Sequence, residues 1–557
     1  MLWRKIAVAV LVAVVAAGTV STVFAGGAGE KGVAGASGVL SFTATLPHFG
    51  IIPTDRPIQG EWQKLMEKMM GTKLDIKYNW VSWPEYQEKL RLMLATGSLT
   101  DLTYIRIAEE MKPYDSQGVF LELSQYADLM PNYLKMGKLL PDYKRQLFEP
   151  DGKFYKFSII NKPLYSPDKG MAIYFVNAYR YDIFQKHNIK IPETLEELYQ
   201  AGLKLKQLYP KSYPITRGEV TSVFWDYIPF AYHTSTDIYW NGKEYVFGAV
   251  EDRYREAMQY LAKLYKDGLL DTEFVTDNQE IMDRKAMAEV NFVQLSAWYS
   301  FVRPYNTNPS AKQTWVIGKA LGTEKYGKAW QVVQDANNYT SAGSWQHAVV
   351  ISPKTKIPKE LVKLLDMQYS EQAYELTNWG IEGQTFTRNS DGSPKFVDSI
   401  AKAKVPLDEG DKWGIRTSNQ CRPGFQLGVD AKAAAALDLP DMCYVDGKVV
   451  EKPWLQMFVN APYPVSEDIP AMLTGPVAPV RPGQTPQLGF TSDEMEVISA
   501  TMTAVRTYKD EWRLKVVTGK ESFDSWDNYR TQLKALGYEK ILKLYNDKAA
   551  QILGSKK

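Results

Sequence analysis

The sequence predicts an α/β protein with mostly parallel sheets, folded as two or more lobes. Two observations carry this. Strand-type and helix-type periodicities alternate along the chain, and 557 residues with 45% apolar content can fill more than one sizeable core. The fold is expected to start at Leu40, where VLSFTATL alternates as a strand does and the loop PHFGIIPTDRP follows. EWQKLMEKMM comes next as a helix, with Trp62, Leu65, Met66 and Met69 on one face and a stop at Gly71. KLDIKYNWV reads as a second strand. PEYQEKLRLMLATG reads as a helix with Pro84 in its first turn, a stripe of Tyr86, Leu90, Met93 and Leu94, and an end at Gly97. DLTYI is a third strand. This order is that of a right-handed parallel sheet, in which ligands sit beyond the carboxyl ends of the strands. The loops after Leu46, Val81 and Ile105 are therefore the first places to look for a site.

The alternation returns further on. MAIYFVN, EVNFVQLSAWYSF and HAVVISP read as strands; PETLEELYQAGLKLKQLYP, RYREAMQYLAKLYKDG and KELVKLLDMQYSEQAYELTNWG read as helices. DSWDNYRTQLKALG carries Trp526, Tyr529, Leu533 and Leu536 in helical register, and YEKILKLYNDKAAQIL follows as the last helix. Residues 396–490 are rich in proline and read as irregular. No internal repeat and no heptads are apparent.

The first 25 residues read as an export signal: Arg4 and Lys5, the apolar run Ile6–Ala17, and a small-residue cleavage site at Val23-Phe24-Ala25. The run is shorter than the roughly 20 residues a spanning helix needs, so cleavage is expected rather than anchoring. No lipid-attachment cysteine follows it. GGAGEKGVAGASG, with six glycines in thirteen positions, reads as a flexible leader over 26–39. Of 66 basic residues, removal of Arg4 and Lys5 leaves 64 against 64 acidic ones, and this balance speaks against a nucleic-acid or anionic-membrane partner. Four scattered histidines, His48, His187, His233 and His347, do not suit a histidine-built metal site. Export permits a disulfide between Cys421 and Cys443, but spacing does not decide it. Fifteen Trp and 34 Tyr are many for a core; their faces suit stacking on sugar rings or packing between lobes.

Several segments, in this order, resemble the extracellular solute-binding proteins (family 1, larger members) of bacterial carbohydrate ABC transporters. They are EYQEKLRLMLATGSLTDLTYI, GVFLELSQYADLMPN, FVNAYRYDIFQKHNIKIPETLEELYQA with Pro192 and Thr194 at a Pro-x-Thr helix start, REAMQYLAKLYKDGLLDTEF, NWGIEGQTFT and WDNYRTQLKALGYEKILKLYNDKA. The resemblance implies a two-lobed periplasmic binding protein fold, each lobe a mostly parallel sheet flanked by helices, with hinge strands between. It implies lobe 1 over 40–160 and 345–395, and lobe 2 over 161–344 and 396–557, with C-terminal helices able to pack across both. It also implies a monomer that captures a carbohydrate, an oligosaccharide in view of the aromatic supply, and delivers it to the permease subunits of an ABC transporter. Without the lipid-bearing cysteine of Gram-positive relatives, a free periplasmic protein is expected. Some large members carry a calcium loop after the helix that ends here at Tyr209. PKSYPITRGEV stands there instead, with Glu219 as its one carboxylate, so neither calcium nor any other cofactor is expected.

Sugar recognition needs flat aromatic faces and planar partners for vicinal hydroxyls. At the strand ends the candidates are His48 and Phe49, Trp83 (with Trp80 as wall or core), Arg106 and Glu109. Trp298 and Tyr299 close a buried strand, and Trp345 and Gln346 precede the return strand. Trp225, Asp226 and Tyr227, in a stretch without clean period, read as a loop that could stack and grip. Trp413 and Arg416 complete the set.

Glu382, in NWGIEGQTFTRNSDG, has three readings: catalyst, ligand contact or organiser of a turn. Catalysis needs a second carboxylate about 5–10 Å away, and the neighbourhood offers Asp391 in a turn signal. The organiser reading is preferred, with a left-handed cap at Gly380, hydrogen bonds to backbone or Arg388, and a hairpin turning at Asp391-Gly392. No catalytic residue is assigned. The rival functions are an exported polysaccharide-degrading enzyme using Glu382, a binding protein for a peptide or other solute, and a scaffold without ligand.

Overall fold

Val39–His48 form β1, which buries Phe42, Ala44 and Leu46 on its core face. In the computed structural model, the described residues are 38–48, 51–106, 114, 117–138, 147–148, 152–160, 172–173, 175–218, 221–298, 306, 313–318, 320–330, 333–334, 347–403, 406–415, 424–425, 428, 430, 433, 436–437, 442–445, 448–451 and 488–554. Every element below belongs to the compact unit Val39–Lys557. The expected export signal lies in residues 1–25, outside the described residues.

Helix α1 (Pro57–Met70) buries Ile58, Trp62 and Met66 and ends at Gly71, whose φ of +67° is one glycine adopts readily. β2 (Lys73–Ser82) pairs parallel with β1 along its whole length. α2 (Trp83–Thr96) has proline in its first turn and ends at Gly97. β3 (Leu102–Arg106) pairs parallel with β1 on the other side. The predicted strand–helix–strand–helix–strand order is present.

β4 (Lys156–Ser158) ends the first passage through this sheet. The chain continues through β5 (Ala172–Ile173), β6 (Phe175–Arg180), α3 (Leu195–Leu208), β7 (Ile215–Arg217) and α4 (Thr221–Ala231). A hairpin of β8 (Ile238–Trp240) and β9 (Tyr245–Phe247) precedes α5 (Asp252–Lys266), α6 (Gln279–Met287) and β10 (Val293–Trp298). β11 (Trp315–Gly318), β12 (Val333–Gln334) and β13 (His347–Ile351) follow, and β13 returns to the first sheet.

Two sheets result. The first has the order β2-β1-β3-β13-β4; the second has the order β17-β16-β11-β6-β10-β7, with β16 (Met442–Val445) and β17 (Lys448–Glu451) added late in the chain. In the first sheet every strand but β13 runs the same way. In the second, β7, β10, β11 and β16 run together and β6 and β17 oppose them. Each sheet has its own core: Ala44, Leu46, Tyr104 and Val349 belong to one cluster, and Ile215, Val293, Leu295 and Val316 to another. Two separate cores make two lobes.

Strand direction sets where the lobes connect. The chain leaves the first sheet at Ser158, level with Ala348, beside the pair His347–Arg106 at the carboxyl edge. It enters the second at Phe175, opposite Trp298 at the carboxyl end of β10. The outgoing and returning segments pair with each other, Ile173 with Val333 and Ala172 with Gln334. These paired strands are the hinge.

Four sequence expectations change. The stretch expected as one helix from Lys359 is two, α7 (Pro358–Met367) and α8 (Glu371–Trp379), because the Ser370 side chain accepts from the Ala373 N–H and starts a new helix. Residues 396–490 are not wholly irregular; they include α9 (Pro406–Trp413) and the β16–β17 hairpin. α10 (Ser492–Val517) was not expected, although Met495, Ile498, Met502, Val505, Trp512 and Val516 repeat at spacings of three and four and are buried. Lys509 interrupts that stripe; it is buried too, and its ammonium donates to the Thr236 carbonyl at 3.2 Å. Finally, α11 (Trp526–Ala535) buries Trp526, Tyr529 and Leu533, but Leu536 follows its end and is exposed. α12 (Tyr538–Gly554) closes the chain against the second core.

Residues beyond 395 pack with the first lobe before the chain crosses again. Ile400, Leu407, Ile415, Ala433 and Leu437 cluster with Ile58 and Trp379, and Phe425 meets Trp62 edge-on at 5.3 Å. The Gly424 N–H donates to Gln59 Oε1 at 2.8 Å, and the Trp62 indole donates to Gln368 Oε1 at 2.7 Å. A Cβ on Gly424 would stand 2.8 Å from the indole nitrogen, at a φ of +67°. Gly424→Ala is expected to destabilise the protein by about 1–3 kcal/mol. Gly60→Ala, in α1 with open space around the new methyl, should stabilise it by about 0.5–1 kcal/mol. Urea unfolding of the two variants checks both signs.

Candidate functional site

The carboxyl edge of the first sheet gathers several predicted residues. His48 ends β1 level with Ser82, and Trp83 follows as the first residue of α2. Arg106 ends β3 opposite His347; its place is given by the backbone. The Trp83 ring is half-buried and lies parallel to Tyr86, 6.4 Å between centroids and 7° between planes. Tyr86 is fully buried, and its hydroxyl donates to the carbonyls of Thr45 and Tyr104 on β1 and β3. The indole therefore rests on a ring fixed to the sheet, the support a stacking surface needs. Trp80 stacks on Tyr78 at 5.3 Å and packs against the first core. His48 is half-buried, and its Nδ1 has no hydrogen-bond partner among the described residues.

At the carboxyl edge of the second sheet, Trp298 ends β10 and is placed by its backbone. Arg217, at the end of β7, is committed to the protein: its guanidinium donates to the carbonyls of Phe274, Gly218 and Asp277. Phe49, Glu109, Tyr299, Trp345, Gln346 and Arg416 lie outside the described residues.

Trp225, Asp226 and Tyr227 are not in a loop. They sit in α4, where Phe224, Ile228 and Ala231 mark the helical stripe that Pro229 obscured in the sequence. Trp225 and Tyr227 are buried in the second core, Trp225 edge-on to Phe224 and Phe274, with the Arg513 guanidinium 4.4 Å over its ring. The Asp226 carboxylate accepts from the backbone N–H and hydroxyl of Thr236. Burial raises its pKa against the Thr236 bonds and the charges of Lys509 and Arg513. These residues hold the lobe together. Trp413 ends α9 and packs half-buried against the Trp379–Phe396 cluster.

Glu382 is exposed and shares the Arg388 guanidinium with Glu375. Two carboxylates turned onto one cation do not flank a substrate. Gly380 is not a left-handed cap: its φ of +90° and ψ of −134° lie outside that region, and a Cβ there would meet the Thr385 hydroxyl at 2.3 Å. That hydroxyl donates to the Trp379 carbonyl and accepts from the Ile381 N–H, both at 2.7 Å. Thr385 organises the turn, and Glu382 braces its outside. The expected hairpin is present as β14 (Phe386–Arg388) and β15 (Pro394–Phe396), with Gly392 at a φ of +81° in its turn. Glu382→Gln should shift the melting temperature by no more than about 2 °C, because exposed ion pairs contribute little; differential scanning calorimetry measures it.

A group of three carboxylates lies beside β7. Asp271, Glu273 and Asp277 bring oxygens within 4.8 Å of one another. The Lys285 ammonium occupies their centre, at 3.0, 2.9 and 2.6 Å. Although burial opposes it, bonding to Asp277, Glu273 and Asp271 holds that ammonium charged well above the ordinary lysine range. In the neighbouring turn, the Ser212 N–H donates to the Tyr209 carbonyl and the Ser212 carbonyl accepts from Lys206. Lys285→Met leaves two buried carboxylates uncompensated and should cost about 3–5 kcal/mol. Millimolar calcium should restore part of the loss in the variant and leave the wild-type melting temperature unchanged.

The family model for bacterial extracellular solute-binding proteins matches residues 54–375, more than half of the chain. The chain belongs to this family. Among curated proteins, this solute-binding protein is 25% identical over 376 residues to the polygalacturonan/rhamnogalacturonan-binding protein YtcQ of Bacillus subtilis (strain 168), covering 63% of this chain and 67% of that one. It is 19% identical over 510 residues to the fructooligosaccharide ABC transporter substrate-binding protein FusA of Streptococcus pneumoniae serotype 4, covering 86% and 85%. Among solved structures, alginate-binding protein AlgQ2 without calcium ion superposes with a TM-score of 0.67 at 19% identity, over 92% of this chain and 98% of that one. FusA of S. pneumoniae in complex with kestose gives 0.68 at 17% identity, over 93% and 100%. These likenesses in structure show the two-lobed fold. Among the described residues no helix is long and apolar enough to cross a membrane.

The sequence reading passed over polar residues inside the second-sheet strands. Thr216, Gln294 and Ser296 are fully buried there. Gln and Ser within the apolar run NFVQLSAW were the visible signal.

Proposed function

We propose that this solute-binding protein captures an oligosaccharide between its two lobes and delivers it to the permease of an ABC importer, without making or breaking a bond. The observation that carries this reading is the chain path: it leaves the first sheet at the carboxyl edge, enters the second beside the carboxyl end of β10, and its outgoing and returning strands β5 and β12 pair with each other. A ligand held there touches both lobes, and hinge closure removes water from its two sides at once. The carbohydrate class is supported by Trp83 on its Tyr86 support at the first edge and by the sugars named for YtcQ and FusA. On this reading lobe 1 is residues 40–160 with the return segment through about residue 437, extended from the sequence expectation by the packing of Ile400, Leu407 and Phe425. Lobe 2 is 161–344 with 442–557. The export signal is removed, and the mature protein works as a free periplasmic monomer.

Two outcomes follow. An oligosaccharide panel of neutral gluco-, fructo-, galacto-, manno- and xylo-oligomers, together with oligogalacturonides and alginate oligomers, should contain a ligand that raises the melting temperature and changes tryptophan fluorescence. A flat response across the panel contradicts the carbohydrate assignment. Trp83→Ala should weaken the responding sugar roughly tenfold or more, measured by titration calorimetry, while leaving the fold intact.

A further inference from the structure

Strand β10 does not run regularly. Gln294 stands opposite Ala178 on β6, but Ala297 stands opposite Val176, so β10 has one residue more than its partner between these pairs. Within this bulge Ser296 adopts a φ of +56°, a strained conformation for a residue with a side chain. Gly218, just after β7, fits against it: its N–H donates to the Leu295 carbonyl at 2.6 Å, and a Cβ there would stand 2.4 Å from the Ser296 carbonyl oxygen. A glycine and a strained serine are both needed to keep this shape.

Three polar side chains cluster at the same place. Thr216 pairs with Gln294 across the parallel β7–β10 ladder, on the face opposite the core residues Ile215, Val293 and Leu295. Ser296 lies two residues further along β10. All three are fully buried, and Thr216 Oγ1, Ser296 Oγ and both Gln294 Oε1 and Nε2 have no hydrogen-bond partner among the described residues. Buried polar atoms without partners are costly and mark places where a partner comes from outside the chain.

Resting on the carbohydrate reading above, we propose that Thr216, Gln294 and Ser296 form the second lobe's grip on the ligand, and that they select an uncharged sugar residue through its hydroxyl groups. A sugar hydroxyl both donates and accepts, and so do two side-chain hydroxyls and one amide. A uronate carboxylate accepts only; it leaves the Gln294 carbonyl unmatched, and the Arg217 guanidinium spends donors on three backbone carbonyls and is not poised to bond it.

The test uses the full-length mature protein, the sugar panel of the preceding subsection, and the variants Gln294→Leu and Thr216→Val. Two readouts are taken: affinity by titration calorimetry and the melting temperature without ligand. The proposal expects a neutral oligosaccharide to bind, both variants to lose at least about tenfold in affinity, and both to melt at the same or a higher temperature, because each removes an unpartnered polar group. A lower ligand-free melting temperature overturns it, since the groups would then be satisfied within the fold. Unchanged affinity overturns it, and so does binding of oligouronides alone; both results leave the carbohydrate reading standing. No binding by any member of the panel removes that reading and this one with it.

Discussion

The pairing of β5 with β12 is the constraint on which the rest depends. Each lobe completes its own sheet and its own core. Among the described residues the outgoing and returning segments pair with each other at this edge and act as one strap. Strand direction then does the remaining work. Within each sheet most strands run the same way, so Trp83 stands at the carboxyl edge of the first sheet and the bulged end of β10 at the carboxyl edge of the second. The third crossing obeys the same rule with different means. Gly424 and Phe425 are seated on Trp62, Gln59 and Gln368 of the first lobe before the chain reaches β16 in the second.

Much of this was legible in the sequence, for identifiable reasons. The β1–α1–β2–α2–β3 passage carries clean periods and glycine stops, and it folds as read. The misreadings come where a strong local signal competed with the period. Pro229 makes a helical stripe look like a loop, and Trp225 and Tyr227, which read as ligand contacts, are core. Lys509 broke a stripe in α10 that is otherwise regular, although the Thr491 and Glu494 capping pair announces the helix start. Ser370 divided a helix whose apolar pattern runs on through it. The β5–β12 pairing could not be read, because two-residue strands leave no period.

The candidate site was legible in part. Positions at strand ends follow from the fold class, and His48, Trp83, Arg106 and Trp298 stand at those ends. What a sequence does not show is which side chains the core consumes. Asp226 looks like a grip for hydroxyls and instead anchors Thr236; Glu382 bonds Arg388, as the organiser reading expects, but shares it with Glu375. The reverse also holds. Thr216 and Ser296 are not among the sequence candidates, and their hydroxyls have no hydrogen-bond partner among the described residues. Lys285 shows the same principle in a structural role, its position inside three carboxylates being invisible until α6 packs beside β7.

The central claim is that a carbohydrate fills the space between the two lobes. Native mass spectrometry of protein purified directly from the exporting cell tests it most directly, because a ligand enclosed on closure leaves slowly. The account predicts a bound species whose mass is a whole number of glycosyl residues and which added sugar of the same kind displaces. A bound peptide in that place would contradict it.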